Sequence, residues 1–137
     1  MPRMDQIEKL FGQFDKIWKN KEEMIESFEQ ILKEELGMVP FIIKEMEKRP
    51  EMLIHELLSM YYTTQPKSLD AKTAELVALS SAVANKSEGC ISVHYDAALK
   101  CGATRDEILD VILISSVMAK AGVLATALGK YREKEER

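Results

Sequence analysis

The chain has 137 residues, of which 46% are apolar, so it can build one domain with a real core and is not a disordered chain. Its net charge of −4 lies in residues 1–60, with nine Lys/Arg against thirteen Asp/Glu, while residues 61–137 carry ten of each. No basic patch suits nucleic acid, no cation excess suits an acidic membrane, and a composition rich in Ala, Leu, Glu, Lys and Met and poor in Pro and Gly favours helix over sheet.

The first ten residues, MPRMDQIEKL, lack the apolar centre of a signal peptide. Residues 4–36 follow a heptad pattern. Ile7, Phe14 and Phe28 share one position, with Lys21 and Glu35 as its polar exceptions. Leu10, Ile17, Met24 and Ile31 share the other, and Phe11, Trp18, Ile25 and Leu32 widen the stripe. Such a stripe is too broad for a two-stranded seam. It suits a helix packed on a globular surface or a neighbouring subunit. Asn20 to Glu23 reads as a capping box at which the helix restarts.

Gly37 is placed to end that helix, and Pro40 suits the first turn of a short helix over 40–48 with Phe41, Ile42 and Met46 inward. Pro50 repeats the device ahead of a helix over 51–62 that turns Leu53, Ile54, Leu57, Leu58 and Tyr61 to the core. His55 has no second ligand near it in sequence and reads as structural or surface. Thr63–Leu69 is a loop, and Asp70 or Ser68 caps the next helix, about 70–85. From Ala74 to Ala84 that helix is apolar or small on nearly every side, which predicts burial. Glu75 is its only charged residue there, and a carboxylate in that setting must be paired, protonated or functional.

After a break at Asn85–Gly89 a helix runs to about Cys101 and stops at Gly102. Thr104 to Glu107 forms a capping box for a last helix, about 105–133, followed by a charged tail, REKEER, expected to fray. Val111–Ala119, between Asp110 and Lys120, is too short to span a bilayer and reads as a buried segment. No strand-like alternation or internal repeat occurs in the sequence, so the expected class is all-α.

Three residues carry the chemistry. With Ser87 as N-cap, Cys90 is the third residue of its helix, where backbone N–H groups and the helix dipole favour a thiolate. His94 lies one turn on, on the same face, and can take the thiol proton. Glu75 comes from the preceding helix, and a helical hairpin brings it near both, where it can relay protons through His94 or a water. A Cys and a His at this spacing also occur by chance as packing residues. Cys101 reads as an inert core thiol. It is eleven residues from Cys90 along one helix, about 16 Å, too far for an internal disulfide, so a reduced cytoplasmic protein is expected. Zinc is disfavoured because Cys90 and His94 have no third or fourth ligand at suitable spacing, and no nucleotide, flavin or metal motif calls for a cofactor.

The sequence resembles the carboxymuconolactone decarboxylase family in its alkylhydroperoxidase D-like branch. The resemblance covers about residues 36–130 and rests on ELGMVPFIIKEMEKRPE, LDAKTAELVAL, SEGCISVH and ALKCGATRDEILDVI. The redox branch carries Cys-x-x-Cys-x-x-x-His with a Glu twelve residues before the first Cys. Here Glu75, Cys90 and His94 stand at those positions, and Ser87 stands where the first Cys would be. The resemblance implies a helical bundle of about six helices over residues 37–137, with residues 1–36 as an amphipathic helical extension packed on the core or a neighbouring subunit. It also implies a homo-oligomer, a trimer or hexamer. A disulfide cycle within the motif needs two thiols, so Ser87 excludes it and leaves a helix-capping role at that position. What remains is a one-cysteine, peroxiredoxin-like antioxidant activity, with Cys90 as nucleophile, His94 and Glu75 as proton relay, a peroxide substrate and an external thiol reductant. The decarboxylase branch implies a cofactor-free acid–base enzyme acting on a lactone through His94 and Glu75. A non-catalytic oligomeric module that binds a small molecule is the third reading. No nucleic acid and no membrane is expected as partner.

Overall fold

A computed structural model of the chain describes residues 4–17 and 19–137. The side chains of Ile17 and Trp18, both assigned to the N-terminal stripe, lie outside what is described. Among the described residues there are seven helices and no strand: α1 (Met4–Ile17), α2 (Lys21–Leu36), α3 (Phe41–Met46), α4 (Pro50–Thr63), α5 (Ala71–Ala84), α6 (Glu88–Lys100) and α7 (Arg105–Glu135). The class is all-α. The helices fall into two compact units, Met1–Thr63 and Thr64–Arg137. Within the first unit α2 packs on α4.

In the N-terminal unit, α2 restarts after Asn20, but the Asn20 side chain makes no capping hydrogen bond. Gly37 ends α2 with φ 75°, a left-handed conformation in which its N–H reaches the Lys33 carbonyl. The unit's core is small: Ile25, Leu53 and Ile54 are buried, with Ile43, Met46 and Leu57 packed on them. Phe41 and Ile42, expected inward, are exposed, Phe41 by 79%. The reason is length. A six-residue helix presents one short stripe, and Ile43 and Met46 occupy it. Leu58 and Tyr61 are likewise exposed, whereas Leu53, Ile54 and Leu57 face the core as expected.

The C-terminal unit is built on α5, which packs along both α6 and α7. Asp70 caps α5, accepting hydrogen bonds from the Thr73 N–H at 2.9 Å and the Thr73 hydroxyl at 2.7 Å. These bonds, the backbone one foremost, hold the Asp70 carboxyl below its ordinary range. A short turn folds α6 back on α5. Lys72 of α5 pairs with Glu107 of α7 at 2.9 Å, and the Ser80 and Ser115 hydroxyls lie 2.8 Å apart. Both contacts join residues 35 apart in sequence, so α5 and α7 run parallel. Leu79, Ala98, Ala103 and Ile108 form the buried core.

The capping box of α7 is complete. The Glu107 N–H donates to the Thr104 hydroxyl at 3.0 Å, and the Thr104 N–H donates to the Glu107 carboxylate at 2.8 Å. Thr104→Ala is expected to lower stability by about 1 kcal/mol, read as a lower urea midpoint with unchanged slope. An unchanged midpoint would show that the cap is dispensable.

Two expectations about burial are corrected. Ile108, Val111, Ile112 and Ser115 form the single face of α7 that packs inward, while Leu113, Ile114, Val117, Met118, Val123 and Leu124 are exposed. In α5 only Leu79 and Ala82 are buried, and Val77 is 52% exposed. Each helix has neighbours on part of its circumference only. The apolar run also resumes beyond Lys120 through Gly129. Among the described residues α7 is therefore the one helix long and apolar enough to cross a membrane, by length and composition alone. α7 extends to Glu135, two residues beyond the expected end, with Lys130 and Glu133 paired at 2.8 Å.

Candidate functional site

The site is carried by the α5–α6 hairpin. Glu75 sits in the second turn of α5, four residues before the buried Leu79, so the anchored helix face also directs the carboxylate toward α6. Residues 85–87 turn the chain in three hydrogen bonds: the N–H of Asn85 to the Ser81 carbonyl, that of Lys86 to Val83 and that of Ser87 to Ala82. This closure requires a left-handed residue, and Lys86 takes it with φ 55°. Gly102 does the same after α6 with φ 89°. The Gly102 turn was legible from its glycine, whereas Lys86 gives no such signal.

Ser87 occupies the N-cap of α6. Its carbonyl accepts from the Ile91 N–H at 2.8 Å, but its side chain makes no capping hydrogen bond. The residue marks the helix start by position, and the capping role expected of its hydroxyl is not exercised. Glu88, Gly89 and Cys90 follow as the first three helical residues, whose N–H groups have no partner inside the helix. Cys90 is exposed and free. Its sulfur therefore lies at the positive end of α6, open to solvent.

His94 stands one turn further along. Its Nδ1 is 2.8 Å from Glu75 Oε2, and the two side chains are 24% and 25% exposed. Glu75 is thus paired, half-shielded rather than buried. With Nδ1–H donated to the carboxylate, the imidazole keeps Nε2 as its free basic atom. The structure joins Glu75 to His94 directly. It places Cys90 on the same face of α6, and among the described residues the thiol makes no hydrogen bond.

Cys101 is corrected. It is the C-cap residue of α6 and is exposed, not part of the core; Ala98 and Ala103 fill the positions beside it. His55 is exposed on α4. No group of three or more His, Cys, Asp or Glu able to hold a metal occurs among the described residues.

The model of the carboxymuconolactone decarboxylase family matches residues 55–132, a stretch that contains Glu75, Ser87, Cys90 and His94. No curated protein matches the chain.

Proposed function

The chain belongs to the carboxymuconolactone decarboxylase family, and we propose that it acts as a one-cysteine, thiol-dependent peroxidase. The observation that carries this reading is the Glu75–His94 hydrogen bond of 2.8 Å, set one helical turn from the exposed Cys90 at the N-terminus of α6. A nucleophile, a base and a group that orients the base are the parts that thiol chemistry needs.

In the proposed cycle the thiol proton passes to His94 Nε2, directly or through one water. The thiolate attacks one peroxide oxygen. The S–O bond forms as the O–O bond breaks, and the leaving alkoxide takes the proton back from His94. The sulfur is oxidised to a sulfenic acid as the peroxide is reduced to an alcohol. Ser87 offers no second sulfur in the motif, so a small external thiol displaces water to form a mixed disulfide. A second thiol releases Cys90 and leaves the reductant oxidised.

The test is a single-turnover pulse of organic hydroperoxide followed by mass spectrometry. Cys90 is expected to gain oxygen at least tenfold faster than Cys101, which is also exposed but lies at the opposite, negative end of α6. Equal and slow oxidation of the two thiols would sink the proposal.

The same dyad supports a second reading, an acid–base enzyme on a small lactone, because His94 and Glu75 form a complete base without the sulfur. We further propose a homo-oligomer assembled through the apolar outer face of α7, since a monomer rarely leaves so continuous a face in water. A thiol-reducing compartment such as the cytoplasm fits the sulfenic acid cycle.

A further inference from the structure

Ser87 fills the N-cap of α6, yet its hydroxyl makes no hydrogen bond among the described residues. Two other N-cap side chains in the chain do cap. Asp70 of α5 accepts from the Thr73 N–H at 2.9 Å, and Thr104 of α7 accepts from the Glu107 N–H at 3.0 Å. Both stand in extended backbone, with ψ 162° and 159°, the usual geometry of a cap. Ser87 has ψ 89°. The Cys90 N–H, which a working cap would satisfy, has no backbone acceptor. An N-cap serine that does not cap keeps its O–H free for another partner.

Its position shows what that hydroxyl stands beside. Cys90 is the third helical residue of α6, as Thr73 is of α5 and Glu107 of α7. In α5 the side chains at the N-cap and third positions touch, the Thr73 hydroxyl donating to the Asp70 carboxylate at 2.7 Å. In α7 the carboxylate of the third residue reaches back to the Thr104 N–H at 2.8 Å. The same spacing sets the Ser87 hydroxyl beside the Cys90 sulfur, toward the opposite end of the helix from His94. Gly89 lies between them. A Cβ there would meet no atom beyond its own helical turn within 4 Å, so the space over this turn is open.

We propose that Ser87 is a catalytic residue of the peroxide step, its hydroxyl donating a hydrogen bond to the peroxide oxygen that leaves as Cys90 is oxidised. The inference rests on the peroxidase reading of the site. As the thiolate attacks one oxygen, the electron pair of the O–O bond passes to the other, which carries the charge until it takes the proton from His94. A donor already in place there stabilises that charge while it develops. Ser87 keeps its own proton throughout, so the products remain an alcohol and the sulfenic acid. The two roles divide by position: His94, one turn after the sulfur, moves the proton, and Ser87, one turn before it, holds the peroxide.

The experiment follows Cys90 in the full chain with two reagents, cumene hydroperoxide and iodoacetamide, each read by mass spectrometry of the Cys90 peptide. Iodoacetamide meets the same sulfur but has no peroxide oxygen to leave. Ser87→Ala and Ser87→Gly both lack the hydroxyl, and glycine starts helices nearly as well as serine. In both variants oxidation by the hydroperoxide is expected to fall about tenfold, the effect of one lost hydrogen-bond donor, while alkylation changes by less than about threefold. The urea midpoint is expected to stay where it is, because no cap is lost. Ser87→Thr keeps the hydroxyl and is expected to recover most of the oxidation rate. Both reagents slowing alike, with a lower midpoint, would assign Ser87 to the helix start and overturn the proposal. Oxidation within about threefold of the parent in both hydroxyl-free variants overturns it as well. The parent separates this failure from that of the peroxidase reading. If its Cys90 reacts with the hydroperoxide no faster than Cys101, that reading fails and the role of Ser87 falls with it. If Cys90 is selective in the parent and stays as fast in Ser87→Ala and Ser87→Gly, the role of Ser87 alone falls.

Discussion

Cys90→Ser is expected to remove hydroperoxide turnover by roughly a thousandfold or more, as loss of a covalent nucleophile does. The substitution is nearly isosteric and exposed, so it leaves the α5–α6 hairpin intact. What it removes is chemistry. A serine hydroxyl stays protonated at neutral pH, and its oxygen has no counterpart of the sulfenic acid through which the peroxide oxygen is handed on. The measurement is peroxide consumption in excess small-molecule thiol. Cys101→Ser serves as the control and should keep the parent rate, since that residue caps the far end of α6. Peroxide turnover in Cys90→Ser within tenfold of the parent would refute the peroxidase reading. The same variant separates the two enzymatic readings, because a lactone activity run by His94 and Glu75 should survive it.

Ser87 limits how far that cycle can be self-contained. In α6 it stands three residues before Cys90, where a second thiol would close a disulfide within one turn. With serine there, reduction waits on an external thiol. The turnover rate should therefore depend on the concentration of that reductant in a way that the first oxidation step does not.

Local signals were the ones legible in the sequence. Gly37, Asp70 and Thr104 ended or began helices where expected because caps are decided by a few neighbouring atoms. The Glu75–His94 contact was also legible, since a buried Leu79 and a tight turn leave one facing for α5 on α6. The family resemblance sharpened this by supplying the spacing of Glu75, Cys90 and His94. What failed was burial. Cys101, Phe41, Ile42 and the stretch 111–119 of α7 read as core because they are apolar or small, yet Cys101, Phe41, Ile42, Leu113, Ile114, Val117 and Met118 are exposed. Hydrophobicity says that a face seeks cover and does not say from which molecule. The Ser87 and Asn20 side chains failed differently. Each sits at an N-cap position, but side-chain rotation decides whether the hydrogen bond forms, and in both cases it does not.

The second large effect concerns Glu75. Its carboxylate touches His94, and in the proposed cycle it acts through the imidazole as a positioning residue. By accepting from Nδ1–H it holds the ring in the tautomer whose Nε2 is basic, and it stabilises the imidazolium once the thiol proton arrives. Glu75→Gln keeps the shape but presents an amide with a neutral oxygen and a competing N–H. It should lower peroxide turnover by about a hundredfold, the usual reach of a general acid–base group. His94→Ala should cost at least as much. The decisive quantity is their coupling. If Glu75 works only by orienting and charging His94, the double variant Glu75→Gln/His94→Ala should be no slower than His94→Ala alone. Glu75→Asp should recover part of the loss, because it keeps the negative charge while shortening the reach. Additive losses in the double variant, with no recovery in Glu75→Asp, would mean that Glu75 serves the α5–α6 packing and not the proton relay. In that case the dyad contributes to the fold, and the chemistry of the site rests on Cys90 and the N-terminus of α6.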